Sequence, residues 1–173
     1  MNRNVDYSDL YFQYLKSEGW SLEEGIVKAG NFSIDQGVGI RAVSGEKTAF
    51  AHSDDLSMKA LRNAARATRA IGGQGRLLGK VKLETPTKPL SLYEDCDPLT
   101  NMADSEKVGL IQKLEGFARV LDKRVSQVMV SLGGQYEVVL VARDDGLIAA
   151  DIRPLVRLSL QVIVEDGGKR EQG

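Results

Sequence analysis

A chain of 173 residues, 42% hydrophobic and 27% charged, carries enough apolar material for one globular domain and should bury about 70% of its extended surface on folding. Its 23 basic and 24 acidic side chains leave a formal charge of −1, which argues against a general nucleic-acid or membrane-surface binder. The single Cys96 can close no internal disulfide. With no amino-terminal apolar run and no apolar stretch of about 18 residues, neither a signal peptide nor a membrane span is expected, and a reducing cytoplasm is the expected compartment.

From Val5 to His52, strand-like runs alternate with turn residues. The pattern predicts strands over 5–17, 20–29, 33–44 and 47–52, separated by Glu18-Gly19, Gly30-Asn31 and Gly45-Glu46. In the third run Ile34, Val38, Ile40 and Ala42 share one parity while Asp35 and Arg41 take the other, the signature of a sheet with one buried and one wet face. Ser53-Asp54-Asp55 then offers caps for a helix over 56–71. Its Ala60, Ala64, Ala67 and Ile71 recur at helical spacing, and Gly72-Gly73 ends it, so this helix should cover the sheet.

Between Gly72 and Ala103, Pro86, Pro89 and Pro98 break any periodicity, which predicts a long ordered loop without a regular core, with a short extended piece at Val81–Glu84. A second helix is predicted over 105–123, capped by Asp104, with Leu110, Leu114, Phe117 and Leu121 on one stripe and Glu115 and Arg119 as an exposed pair. Strands over 125–131, 136–143, 147–153 and 155–165 follow, with turns at Gly133-Gly134, Asp144-Asp145-Gly146 and Asp166-Gly167-Gly168. The last turn points toward a further strand that the chain does not contain, which should leave the 155–165 edge unpaired. Strands, two helices and strands again predict an α+β fold: a single domain over 1–173, antiparallel meanders flanking two helices, in two layers of sheet and helix.

Few residues carry chemistry. Zinc typically takes three or four His, Cys or carboxylate ligands, and one histidine, His52, with one cysteine, Cys96, makes no such set. His52 is read as a strand-end polar residue or one facing a partner domain, with a role beside an active site outside this chain as the lesser alternative. Cys96 lies among carboxylates in Tyr-Glu-Asp-Cys-Asp-Pro, which disfavours a thiolate nucleophile. Gly37-Val38-Gly39-Ile40-Arg41-Ala42 matches a dinucleotide fingerprint in letters only, because a strand follows it where a helix is required. These glycines instead thin a strand for close packing or substrate approach. Glu23-Glu24, Asp54-Asp55 and Asp144-Asp145 fall at turns and edges, where carboxylates solvate or cap, and no Ser-His-Asp set can be assembled. From Leu56 to Lys82 the chain bears Lys59, Arg62, Arg66, Arg69, Arg76, Lys80 and Lys82 and no acid, a local charge of +7. Without interleaved aromatics, a solvated helix face explains this better than a nucleic-acid contact.

The blocks Val5–Gln13 (Val-Asp-Tyr-Ser-Asp-Leu-Tyr-Phe-Gln), Leu22–Lys28 (Leu-Glu-Glu-Gly-Ile-Val-Lys) and Ile34–Ala51 resemble the amino-terminal domain of the TldD/PmbA family, also called modulators of DNA gyrase, in its TldD branch. The resemblance continues through Asp97-Pro98-Leu99, the helix near Glu106–Lys123 and Ala149–Arg157. It implies a zinc metallopeptidase whose carboxy-terminal half bears His-Glu-x-x-x-His. It also implies that a domain such as this one packs beside the metal-bearing domain, helps form a cleft for unfolded peptides, and joins a hetero- or homodimer with a TldD/PmbA-type subunit. Zinc, its ligands and the glutamate base are then expected beyond Gly173, and no catalytic, cofactor-binding or metal residue carries over to this chain. The family runs on through a glycine-rich stretch and has a helical segment ahead of the Val5 block, so truncation at both ends is expected. The rival expectation is a stand-alone module that binds peptides or a partner by adding a strand to an exposed sheet edge.

Overall fold

The computed structural model describes residues 5–72 and 92–173, the side chains of 69–72 excepted. It contains β1 (Tyr7–Glu23), β2 (Ile26–Ser44), β3 (Lys47–Ser53), α1 (Met58–Gly72), α2 (Asp104–Leu121), β4 (Val125–Arg143), β5 (Ile148–Asp166) and β6 (Lys169–Gln172). The strands form an antiparallel sheet in the order β3-β2-β1-β4-β5-β6. This is the expected α+β arrangement, strands before and after two helices. Val81–Glu84 lies outside the described residues.

The strands are longer and fewer than the turn residues predict. β1 runs through Glu18-Gly19, β2 through Gly30-Asn31, and the hairpin falls at Glu24-Gly25, whose φ values of 54° and 72° give the paired positive φ of a tight two-residue turn. The glycines are clearances, not corners. A Cβ on Gly19 would lie 2.6 Å from the Asn31 side-chain oxygen, and one on Gly30 would lie 2.8 Å from the Trp20 ring. Gly133-Gly134 likewise stays inside β4, where a Cβ on Gly134 would meet Leu99 at 2.5 Å. β5 continues through Pro154, which an outer strand tolerates because a ladder there need be made on one side only. The final turn, Gly167-Gly168, leads into β6, so the edge expected to be bare is partly covered.

Contacts gather the described residues into two compact units. One takes the chain to Leu15, Ile34–Glu94 and Glu137–Arg153; the other takes Lys16–Ser33, Asp95–Tyr136 and Pro154–Gly173. In the first, Val38, Ile40 and Ala64 are buried among Leu10, Phe12, Ala51, Leu61 and Ala65. Helix α1 thus covers the sheet as expected, through Ala60, Leu61, Ala64, Ala65 and Thr68, while Ala67 faces solvent. Its cap is Ser57, whose hydroxyl accepts from the Ala60 amide at 3.2 Å and donates to Asp55 at 2.9 Å. Ile34 shares the parity of Val38 and Ile40 yet is 51% exposed, because β3 pairs with β2 only from Val38 onward.

In the second unit Leu22, Ile111, Ala118, Val128, Val130 and Leu132 form the core, with Trp20, Leu114, Val125 and Val162 against it. The buried line of α2 is Lys107, Ile111, Glu115 and Ala118. The predicted stripe is therefore rotated: Leu110 and Leu114 are half-buried, while Phe117 and Leu121 are exposed. Glu115 does pair with Arg119, but from a buried position, and Arg119 also reaches Glu24 at 2.7 Å. Ala103, not Asp104, precedes the helix, and its amide donates to the Glu106 carboxylate at 2.9 Å. Of the segment before it, the described residues 92–103 form no helix or strand but do bury Leu99.

Two glycine substitutions should have opposite signs. Gly30→Ala must displace the rigid Trp20 ring and should destabilise by about 1–3 kcal/mol, as overpacking does. Gly116→Ala, on α2 with no atom within 4 Å of the new methyl, should stabilise by about 0.5–1 kcal/mol through helix propensity. Urea melts of the two variants beside the parent chain give both values.

Candidate functional site

On the first unit, strand alternation sends Leu10, Phe12, Val38, Ile40 and Ala51 toward α1 and leaves the opposite face of β1, β2 and β3 open. An open groove of about 550 Å³ lies on that face, lined by Tyr11 and Gln13 of β1, Gly37 and Gly39 of β2, and Phe50 and His52 of β3 among others. Gly39 pairs with His52, and Arg41 with Phe50. A Cβ on Gly39 would press the Phe50 ring at 3.0 Å, and one on Gly37 would meet the Ser53 carbonyl at 3.1 Å. The glycines serve close packing, as the sequence predicts, and no helix follows them to hold a pyrophosphate.

At one end of the groove Asp9, 8% exposed, accepts from Arg41 at 2.6 and 3.2 Å and from the Tyr7 hydroxyl at 2.8 Å. The guanidinium groups of Arg41 and Arg143 stand 5.2 and 5.5 Å from the centre of the Tyr7 ring. Burial pushes the Asp9 carboxyl up, but the hydrogen bonds from Arg41 and Tyr7 and the charges of Arg41 and Arg143 outweigh it, and the net shift is downward. The Tyr7 hydroxyl is shifted up, chiefly by its bond to Asp9. Asp9 is thus a fixed anion that orders the groove and is a poor proton acceptor. A depressed carboxyl stabilises the fold above its ordinary pKa and loses that contribution as pH falls through the folded value. Asp9→Asn should therefore cost about 1–2 kcal/mol at neutral pH, and the gap to the parent should close below about pH 4. Denaturant melts at pH 7 and pH 3 measure it.

His52 is exposed at the other end of this face, its ring 6.2 Å from that of Phe50 at 25°. Its side chain hydrogen-bonds no described residue, so no base, nucleophile or orienting carboxylate is assembled around it. Lys59, Arg62 and Arg66 of α1 are exposed, whereas Arg76, Lys80, Lys82 and the Arg69 side chain lie outside the described residues.

The second unit holds a site that apolar patterning does not reveal. Lys107 is buried and donates to Glu18 at 2.9 Å, to the Leu99 carbonyl at 2.7 Å and, more weakly, to Asp104 at 3.4 Å. Lys16 pairs with Asp97 at 2.8 Å and stands 5.8 Å from the centre of the Tyr136 ring, while the Tyr136 hydroxyl donates to Asp95 at 2.8 Å. These bonds hold the segment before α2 beside a groove of about 370 Å³ that Trp20, Phe32 and Asp97 help to line. Burial pulls the Lys107 pKa down, yet its bonds to Glu18 and Asp104 prevail and raise it, which rules out a neutral amine nucleophile at neutral pH. The placement of Lys107 four residues before Ile111, on the inward line, was the available signal. Cys96 is exposed and accepts from the Asn101 amide at 2.8 Å.

The signature of PmbA/TldA metallopeptidase domain 1 matches residues 8–72, and that of the PmbA/TldA metallopeptidase central domain matches residues 97–173. The chain belongs to the TldD/PmbA metallopeptidase family. Within it, a Haemophilus influenzae protein described as metalloprotease TldD homolog is 46% identical over 174 residues, covering 99% of this chain and 36% of the relative. A Buchnera aphidicola protein of the same description, from the Schizaphis graminum strain, is 44% identical over 98% of this chain and 35% of its own length. The chain thus spans just over a third of these relatives. Its fold is shared with TldE from Thermococcus kodakarensis (TM-score 0.69, 17% identity, 97% of this chain, 38% of that one). It is shared also with a proposed modulator of DNA gyrase from Bacteroides thetaiotaomicron (TM-score 0.74, 13% identity, 98% and 40%).

A metallopeptidase family implies a metal, and the described residues do not fit one. Among the described residues no three His, Cys, Asp or Glu side chains gather as ligands. Among them also, no helix is long and apolar enough to cross a membrane.

Proposed function

We propose that this chain is the non-catalytic amino-terminal part of a TldD-like zinc metallopeptidase of the cytoplasm. It lines the cleft that admits unfolded peptides and contributes to pairing with a TldE- or PmbA-type subunit. The observation that carries this is an identity of 46% sustained along 99% of the chain to a metalloprotease homolog of which only 36% is matched. The open face bearing Tyr11, Phe50 and His52 supports the cleft role, since it offers aromatic surface beside a glycine floor to an extended chain. Zinc, its His-Glu-x-x-x-His ligands and the general base then belong to the part of the protein that follows.

The test compares this chain with the longer product of its coding sequence, each with and without the partner subunit, on an unfolded peptide. The longer protein with its partner should cleave the peptide, lose activity to a chelator and hold one zinc, while this chain should do none of these. Chelator-sensitive cleavage by the 173-residue chain itself would overturn the proposal. A reading frame that closes at Gly173 would favour the rival, a stand-alone strand-adding module.

A further inference from the structure

Within the second unit, β6 covers only part of the outer edge of β5. Ile163–Asp166 pair with Lys169–Gln172, and Val162 and Gly173 exchange two backbone hydrogen bonds of 2.8 and 3.0 Å. Beyond that point, Leu155–Gln161 have no strand on the outer side among the described residues. This is a hazardous edge to leave bare. Leu155 and Val156 are each 57% exposed and Leu158 and Leu160 each 46%, so apolar side chains of both parities stand in solvent. Over Pro154–Gln161 only Pro154 and Arg157 act as the charge and proline that normally blunt an edge.

The ladder itself indicates the occupant. Antiparallel pairing advances one partner per residue, so a strand leaving Gly173 in register meets Gln161 next, then Leu160, then Ser159. A strand already pinned at Val162 needs no further loop closure, whereas a second molecule would lose translational and rotational freedom on arrival. The TldD homolog is nearly three times as long as the part matched, and the region from residue 97 carries the signature of a central domain, a description that places a further domain after it. Resting on the reading that this chain is part of such a longer metallopeptidase, we infer that the Leu155–Gln161 edge seats the protein's own next segment as an extension of β6. The edge is an internal seam, and neither substrate nor partner subunit engages it.

Amide hydrogen exchange on this chain, and on one lengthened by the strand's worth of residues encoded after Gly173, tests the inference. Exchange over Leu155–Gln161 should slow by at least about tenfold in the longer chain, and two prolines placed in the added segment should restore the fast rate. Equal rates at both lengths would overturn it. So would slow exchange in the monomeric 173-residue chain, or slowing in the longer chain only when unfolded peptide or partner subunit is added. Peptide cleavage is scored separately, on the full product of the coding sequence with its partner subunit. Protection without cleavage sinks the peptidase reading and keeps the seam, and cleavage without protection does the reverse.

Discussion

Lys107→Met should destabilise the folded chain by about 3–5 kcal/mol, because it strips the cation from a carboxylate that stays buried. The Lys107 side chain is 4% exposed and that of Glu18 11%, at 2.8 Å. For a chain of this size the loss corresponds to roughly 6–20 °C in Tm. The double variant Lys107→Met with Glu18→Leu should recover most of it, since two apolar side chains of similar volume remove both the attraction and the desolvation cost. Thermal melts of the two singles and the double settle it; a double variant as unstable as the worse single would mean that the pair does more than neutralise itself. The sign with pH is also fixed. A lysine with a raised folded pKa adds stability that is fully present below its ordinary value and is lost as pH rises through the folded one, so above about pH 10.5 the parent chain should weaken more steeply than the double variant, in which the raised Tyr7 and Tyr136 hydroxyls still titrate against the fold.

Ile111→Ala should cost about 2–5 kcal/mol, while Phe117→Ala should stay within about 0.5 kcal/mol of the parent. Both lie on α2 and both are large and apolar. Ile111 is 0% exposed and packs with Leu22, Val128 and Val130, whereas Phe117 is 62% exposed. Chemical denaturation with far-ultraviolet dichroism separates the two. A large loss at Phe117 would return the helix to the rotation that its leucines alone suggest.

That rotation shows where the sequence was legible and where it was not. Apolar periodicity identified both helices and the order of strands and helices, because burial of a 3.6-residue stripe or a two-residue alternation leaves a pattern in letters. It misplaced the inward face of α2, because Lys107 is buried against Glu18, a partner 89 residues away, and because the Glu115–Arg119 pair, legible from its spacing, does not tell that Glu115 lies inward. Glycine pairs misled in a related way. Gly19 and Gly30 serve a neighbour on the adjoining strand, Asn31 and Trp20, and Gly134 serves Leu99 of the segment before α2; a missing side chain made for a neighbour looks the same in sequence as one made for a turn. Of the open face on the first unit, the glycine floor at Gly37 and Gly39 was readable as strand thinning. The clamp of Asp9 by Arg41 and Tyr7 was not, since it joins two strands. Membership in the family was legible from residue blocks alone.

The discontinuity of the two compact units bears on how the chain is made. The first unit needs residues up to Leu15 and again Glu137–Arg153; the second begins at Lys16 and closes only with Pro154–Gly173. At a synthesis rate of about 5–20 residues per second, Arg153 is added roughly 8–30 s after the first residue, and neither unit has its full complement before then. Until β4 is made, the nascent chain must hold one edge of β1 unpaired, a state in which an open strand recruits other chains or chaperones. The family signatures over 8–72 and 97–173 each take residues from both units. A fragment cut between them would carry two halves of different units, and expressing either signature alone should yield aggregate.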